Sequence, residues 1–349
     1  MKTTNASQRL RGLIRRNISL FGVILALALI MIALSLTTGS FFTASNLSNI
    51  ARQSVWVGVM AVGMVFVLGT EGIDLSVGSV LSLTGVVVAA LITGGQNIFL
   101  ALIAGLAFGS LVGLVNGLLI TSVRLPPFIA TLGMMSVLQG IAYVYTQGIP
   151  IYGLQYPEMQ MWAQGFVGPV PIPVLIMLIV WVLGFAVLTR TPYGRYVLSV
   201  GSNENAANLV GISVNRIKIS VYVVSGFLAA LAGILLASRS EAAVPTAGSG
   251  YEMDVIAAAV IGGTSMSGGI ASISGAVIGS VLMTTIRNGL NLLGISSLWH
   301  QVVMGILILV AVAIGSWRSG ESRGSAKKGS IFTIVPKKIS IEKSSKTSD

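Results

Sequence analysis

Apolar runs of near-membrane length, separated by short polar breaks, dominate the chain. They fall at about 18–38, 53–69, 77–93, 98–121, 127–146, 173–190, 218–238, 254–263, 270–290 and 298–316. A helix rises about 1.5 Å per residue, so a hydrocarbon layer of about 30 Å takes roughly 20 mostly apolar residues to cross. All but the eighth run come near that length. The eighth has about ten residues before Gly262 and Gly263, which predicts a broken or re-entrant segment covered by protein or a polar cavity. The fold class expected is an all-α, polytopic membrane protein of about ten transmembrane helices.

Composition agrees: 54% of the 349 residues are hydrophobic and 9% charged, more apolar surface than one soluble core could hide. The net charge of +11 sits in the tails. Residues 1–17 carry five bases and no acid, and residues 318–349 carry eight bases against three acids, so the 300 residues between them hold a net charge of only +1. That division suggests a basic N-terminal tail (1–17), a transmembrane domain (18–317) and a flexible basic tail (318–349) held near anionic headgroups. Basic flanks on an apolar body follow the positive-inside rule, which places both termini in the cytoplasm and argues against nucleic-acid binding. Ten passes also put Arg124, Arg190, Arg195, Arg216 and Lys218 on the cytoplasmic side, whereas Arg52, Arg239 and Arg287 fit poorly. Trp162, Trp299 and Trp317 lie near span ends, as interfacial anchors do. The first run is long for a signal peptide and lacks a small-x-small cleavage site, so it reads as a retained helix.

The absence of cysteine removes disulfide and thiolate chemistry. His300 is the only histidine and has no second ligand nearby in sequence, so no metal or other cofactor is expected. No GxxxxGK[ST] phosphate loop occurs, and GGTSMSGG at 262–269 has no lysine to meet a phosphate, so any use of ATP requires another chain. Gly105, Gly109, Gly113 and Gly117 form a seam on one helix, and Gly275 and Gly279 begin another; small residues at spacing four read as close helix packing.

Two segments between spans are long enough to matter. Residues 147–172 are proline-rich with Glu158 as their one charge, and read as an ordered external lid or docking loop. Residues 191–217 form the main cytoplasmic loop. Within it Ser202 or Asn203 can cap a short helix that starts with Glu204, runs through Ala206 and Ala207, and stops at Gly211. Such an element spans nothing, yet it is well placed to pass motion to a soluble partner.

Four collinear stretches now carry a resemblance: EGIDLSVGS (71–79), PPFIATLGMMSVLQGIAYVYTQG (126–148), GRYVLSVGSNENAANLVGISVNRIK (194–218) and PTAGSGYEMDVIAAAVIGGTSMSGG (245–269). Over about residues 20–317 the chain resembles the ribose-type permeases of bacterial ABC importers, in the branched-chain amino acid/ribose permease superfamily. The resemblance implies a permease subunit of a monosaccharide importer that catalyses no reaction itself. It further implies a cytoplasmic ABC ATPase, an extracytoplasmic sugar-binding protein, and a second permease copy or paralogue. By the same resemblance, Ser202, Asn203, Glu204, Ala206, Ala207 and Gly211 belong to the coupling helix seated on the ATPase. Glu71 stands where a glycine is common in the family.

Candidates for the translocation path are Asp74, Ser76, Thr264, Ser265 and Ser267, whose hydroxyls and exposed backbone suit a polyol. The Gly/Ser/Thr cluster reads equally as a flexible joint between half-helices. Glu71, Asp74, Glu252 and Asp254 lie at run ends, where helix capping is the simpler role. An ion-coupled secondary transporter using those carboxylates is the alternative.

Overall fold

The structure is a computed structural model that describes residues 4–310 apart from 297, 301 and 308, with side chains from Leu20 onward. In chain order it begins with α1 (Thr4–Thr37), α2 (Ala44–Gly69), α3 (Val77–Thr93), α4 (Ile98–Thr121) and α5 (Pro127–Thr146). A compact segment follows, made of β1 (Ile151–Tyr152), α6 (Pro157–Gln164), β2 (Phe166–Val167) and β3 (Val170–Pro171). Then come α7 (Ile172–Arg190), α8 (Pro192–Ser202), α9 (Glu204–Leu209), α10 (Val214–Ser240), β4 (Ala242–Ala243), α11 (Tyr251–Ile261) and α12 (Ile273–Leu292). A last apolar stretch is helical at Leu298–Leu307. The protein is all-α and polytopic. Six of its described helices (α1, α2, α4, α5, α7 and α10) are long and apolar enough to cross a membrane, and α3 is a shorter apolar helix.

The apolar runs and the helices agree closely from α3 to α5, because Gly94, Ser122 and Gln147 follow runs that nothing else interrupts. α2 starts nine residues before its apolar run, at a cap where the Thr43 hydroxyl accepts from the Asn46 amide. α1 reaches back to Thr4, through most of the segment that charge alone sets apart as a tail. Trp317, the basic tail 318–349 and the far half of the last run lie outside the described residues.

Packing is organised around α2, which is buried from Ser54 to Gly69. The glycine seam of α4 lies on α10: a Cβ at Gly109 would strike the Gly226 carbonyl, one at Gly113 the Tyr222 carbonyl, and one at Gly117 the Ile219 Cα at 2.7 Å. In lipid, apolar side chains gain little by touching each other, so backbone approach through small residues supplies the attraction. Away from the seam, Phe99, Ile103 and Leu111 of the same helix are exposed, as lipid-facing side chains must be.

α11 covers about 16 Å in eleven residues, too short to cross alone. The chain turns at Gly262 and returns as α12, packed so closely that a Cβ on Gly275 would meet the Gly262 carbonyl and one on Gly279 the Ala258 carbonyl. At one end of the bundle, the segment from β1 to β3 forms an ordered lid. β1 pairs antiparallel with β4, and the Gln160 and Gln164 side-chain amides donate to Glu241 Oε1 at 2.8 and 3.2 Å. α8 and α9 lie at the opposite end, about 38 Å away along α10 from Val214 to Arg239.

Candidate functional site

Residues 191–217 are helical over most of their length. α8 had no sequence signal beyond Pro192 at its first turn, yet Thr191 caps it by accepting from the Gly194 amide at 3.3 Å. It takes up Ser202 as its last residue, with that hydroxyl donating to the Leu198 carbonyl at 2.8 Å. The cap of the short helix is therefore Asn203, whose Oδ1 accepts from the Ala206 amide at 2.9 Å. α9 runs only from Glu204 to Leu209, narrower than the 202–211 span expected. Gly211 adopts φ +85°, letting its own amide reach the Asn208 carbonyl and the Ile212 amide reach the Ala207 carbonyl, both at 3.0 Å.

Two contacts fix α9, while its outer side is open. Ala207 is buried beneath it, and Glu204 accepts from Lys218 Nζ at 2.6 Å, tying the helix to the start of α10. A polar cleft of about 360 Å³ opens beside it, lined by Glu204, Asn205, Asn208, Asn215 and Arg216 among others. Ala206 faces outward. Beyond it Leu209 and Val210 are 89% and 77% exposed, two apolar side chains standing among polar neighbours.

Thr264, Ser265 and Ser267 form the turn between α11 and α12, at the same end of the bundle as α8. Thr264 is buried and its Oγ1 accepts from the Ser272 amide at 3.1 Å, while Ser265 Oγ accepts from the Ser267 amide at 3.2 Å. The turn meets α8 and α2 largely through backbone: Gly269 N–H donates to the Gly69 carbonyl at 3.1 Å, and Cβ atoms at Gly201 or Gly268 would strike backbone of the facing strand of chain. The turn and the C-terminal end of α8, which leads into α9, thus meet in one place, which sequence separation concealed.

Asp74 and Ser76 are elsewhere, in the irregular link between α2 and α3, and both are buried. Asp74 Oδ1 accepts from the Ser76 amide at 3.0 Å and its hydroxyl at 2.6 Å, and Oδ2 accepts from the Ser225 hydroxyl of α10 at 2.8 Å. Asn116 of α4 donates to Ser76 Oγ at 2.9 Å, and Tyr222 of α10 donates to the Ile73 carbonyl at 3.3 Å. Asp74 therefore turns the chain into α3, as a cap would, and in doing so ties α3 to α4 and α10. Ser225, Asn116 and Tyr222 carried no sequence signal, since each sits singly in an apolar run. Among the described residues no hydrogen bond joins this cluster to Thr264, Ser265 or Ser267.

The other carboxylates have separate fates. Glu71 is exposed at φ +63°, a left-handed conformation that explains why glycine suits this position. Asp254 is buried in the first turn of α11 and pairs with Arg287 of α12 at 2.5 Å. Arg287 is one of the bases that the positive-inside rule could not place, and this carboxylate is what holds it.

Comparison with known proteins matches residues 46–312 to the family described as branched-chain amino acid transport system / permease component. The ribose import permease protein RbsC of Bacillus subtilis (strain 168) is 45% identical over 299 residues, covering 85% of this chain and 93% of that protein. RbsC of Escherichia coli (strain K12) is 44% identical over 294 residues, covering 83% and 92%. The L-arabinose ABC transporter permease protein AraH of Azospirillum brasilense is 34% identical over 318 residues, covering 91% and 94%. No solved structure matches the chain. The resemblance carried by the four motifs is thus one of full-length kinship: this chain belongs to the family of branched-chain amino acid transport system permease components.

Proposed function

We infer that the chain is the membrane permease subunit of an ATP-binding-cassette importer for a monosaccharide, with α9 as its contact with a separate ATPase. The names of its relatives support the class: ribose, arabinose, D-allose and xylose permeases are among them. The observation that carries the coupling assignment is the exposed pair Leu209 and Val210. In the membrane such exposure is met by lipid. On a loop beside Glu204, Asn205, Asn208 and Arg216 it is met by water unless a partner covers it.

In this reading the termini and α9 face the cytoplasm, and the lid faces the binding protein outside the inner membrane. Two permease copies, or this chain and a paralogue, enclose the path. ATPase closure presses on α9, and α8 relays the displacement through the Gly201, Gly69 and Gly269 backbone contact into the α11–α12 turn. Rigid backbone contact transmits motion without loss to side-chain rearrangement, and a two-state packing does the switching. The hydroxyls of Thr264, Ser265 and Ser267 shape that turn and border the inner mouth of the path. Asp74 and Ser76 hold α3 in place beside it.

Ion coupling fits the geometry less well. Asp254 has its charge balanced by Arg287 through Oδ2, and Asp74 already accepts three hydrogen bonds, so neither stands as an uncompensated anion for a cation to neutralise. The deciding experiment is reconstitution in vesicles with and without the ATPase and a sugar-binding protein. ATP-driven accumulation of D-ribose, D-xylose, D-allose or L-arabinose is expected only from the full assembly. Accumulation by the chain alone, or uptake abolished by an uncoupler at constant ATP, would refute the reading.

A further inference from the structure

At the lid end, the three arginines that resisted the positive-inside rule are brought to one region. Arg239 and Arg287 line a cavity of about 280 Å³ with Trp56, Tyr251, Asp254 and Asn291. Arg239 lies over the Trp56 ring at 5.5 Å from its centroid, and Arg287 over the Tyr251 ring at 5.6 Å. Arg52 stacks on Phe166 of the lid at 4.4 Å.

Polar groups here are under-satisfied. Of seven buried side-chain polar atoms without a hydrogen-bond partner among the described residues, four belong to cavity-lining groups: Arg239 Nη1, Asp254 Oδ1, Arg287 Nε and His300 Nε2. Asp254 is 2% exposed, so its free oxygen has no recourse to bulk solvent. Buried polar atoms are normally paired, and a concentration of orphans in one cavity signals a polar occupant.

The geometry points to this cavity as a binding site for a neutral monosaccharide passing through the permease, a reading that rests on the proposed function. Its volume is near the roughly 300 Å³ at which small ligand pockets begin, suited to one sugar ring. Trp56 and Tyr251 offer apolar ring surface for the C–H face of a sugar. Two guanidinium groups supply donors and Asp254 an acceptor, the mixed set that hydroxyls require. An anion fits worse, because each guanidinium already shares its charge with a ring, one also with Asp254, and that carboxylate would repel it. The lid is fastened to Glu241, two residues from Arg239, so the cavity lies just beneath the face where a solute would be delivered.

The test uses the full chain in nanodiscs without binding protein, with saturation-transfer NMR on D-ribose, D-xylose and D-allose in turn. Wild type is expected to transfer signal to at least one sugar, and Trp56→Leu and Asn291→Ala to lose about tenfold in affinity for it. In the reconstituted importer the same variants, still co-purifying with the ATPase, are expected to lower uptake by about the same factor. Equal signal from wild type and both variants, or no signal with any of the sugars, means a cavity holding water only and overturns the proposal. An importer that moves no monosaccharide would instead sink the functional reading, while the NMR comparison still decides the cavity.

Discussion

The two ends of the bundle are built from opposite materials. At the α9 end, contact between α2, α8 and the α11–α12 turn is made largely by glycine backbone at Gly69, Gly201, Gly268 and Gly269, with the Thr264 and Ser265 hydroxyls closing their own turns. At the lid end, arginines, aromatic rings and a buried carboxylate meet around a cavity and leave polar atoms unpaired. At the first end the backbones of α8 and the turn leave no space between them, and the polar cleft beside α9 lies outside that contact, which suits transmission of force. The second has space and unmet hydrogen bonds, which suits a polar solute. In the proposed function, one chain thereby separates the part that is pushed from the part that is wetted.

The sharpest way to break this contrast is Gly201→Val. Its side chain would strike the Gly69 carbonyl and Gly269 amide, neither of which can swing aside. A loss of about 3 kcal/mol or more is expected, read as a marked fall in the thermal midpoint of the detergent-solubilised chain. Normal stability would show that the contact is looser than drawn and cannot relay motion.

Asp254→Asn comes next, at about 3 kcal/mol, because it leaves the Arg287 charge uncompensated beside a buried position. Adding Arg287→Gln is expected to restore most of the loss, since the cost lies in the unpaired charge more than in the missing bond. A double variant no better than the single one would deny the pair its structural part.

Leu209→Glu addresses the other end, where this side chain is almost wholly exposed. Thermal stability is expected to hold while ATP-driven uptake falls about tenfold, the effect of removing one buried anchor from an interface. Uptake at the wild-type rate would mean that α9 docks no partner through this tip. The smallest effect is assigned to Asn203→Ala, which removes one cap hydrogen bond from α9 and costs about 1 kcal/mol. Hydrogen exchange of the Ala206 and Ala207 amides would register it as local fraying without a change in global unfolding.

Most of the membrane-spanning framework was legible. A run such as 98–121 must be helical wherever lipid is its solvent, since no other arrangement satisfies the backbone, and α4 begins and ends with that run. α9 was legible in outline from Asn203, Glu204 and Gly211, because capping chemistry is local. α8 was not, since its burial against α2 and α10 is what gives an ambiguous polar stretch a reason to be helical.

The sequence by itself determined that this chain lives in lipid, where most of its membrane-spanning helices run, and that no ATP-binding loop is among its breaks. These follow from solvation and local backbone chemistry, which act on neighbours along the chain. Only the tertiary structure decided that Asp254 neutralises Arg287, that Asp74 draws Ser225 to itself while Asn116 donates to Ser76, and that Arg239 and Arg287 share one cavity. Those partners are separated by 33 to more than 150 residues, and in a medium that solvates no charge each had to find its complement on whichever helix packing brought near.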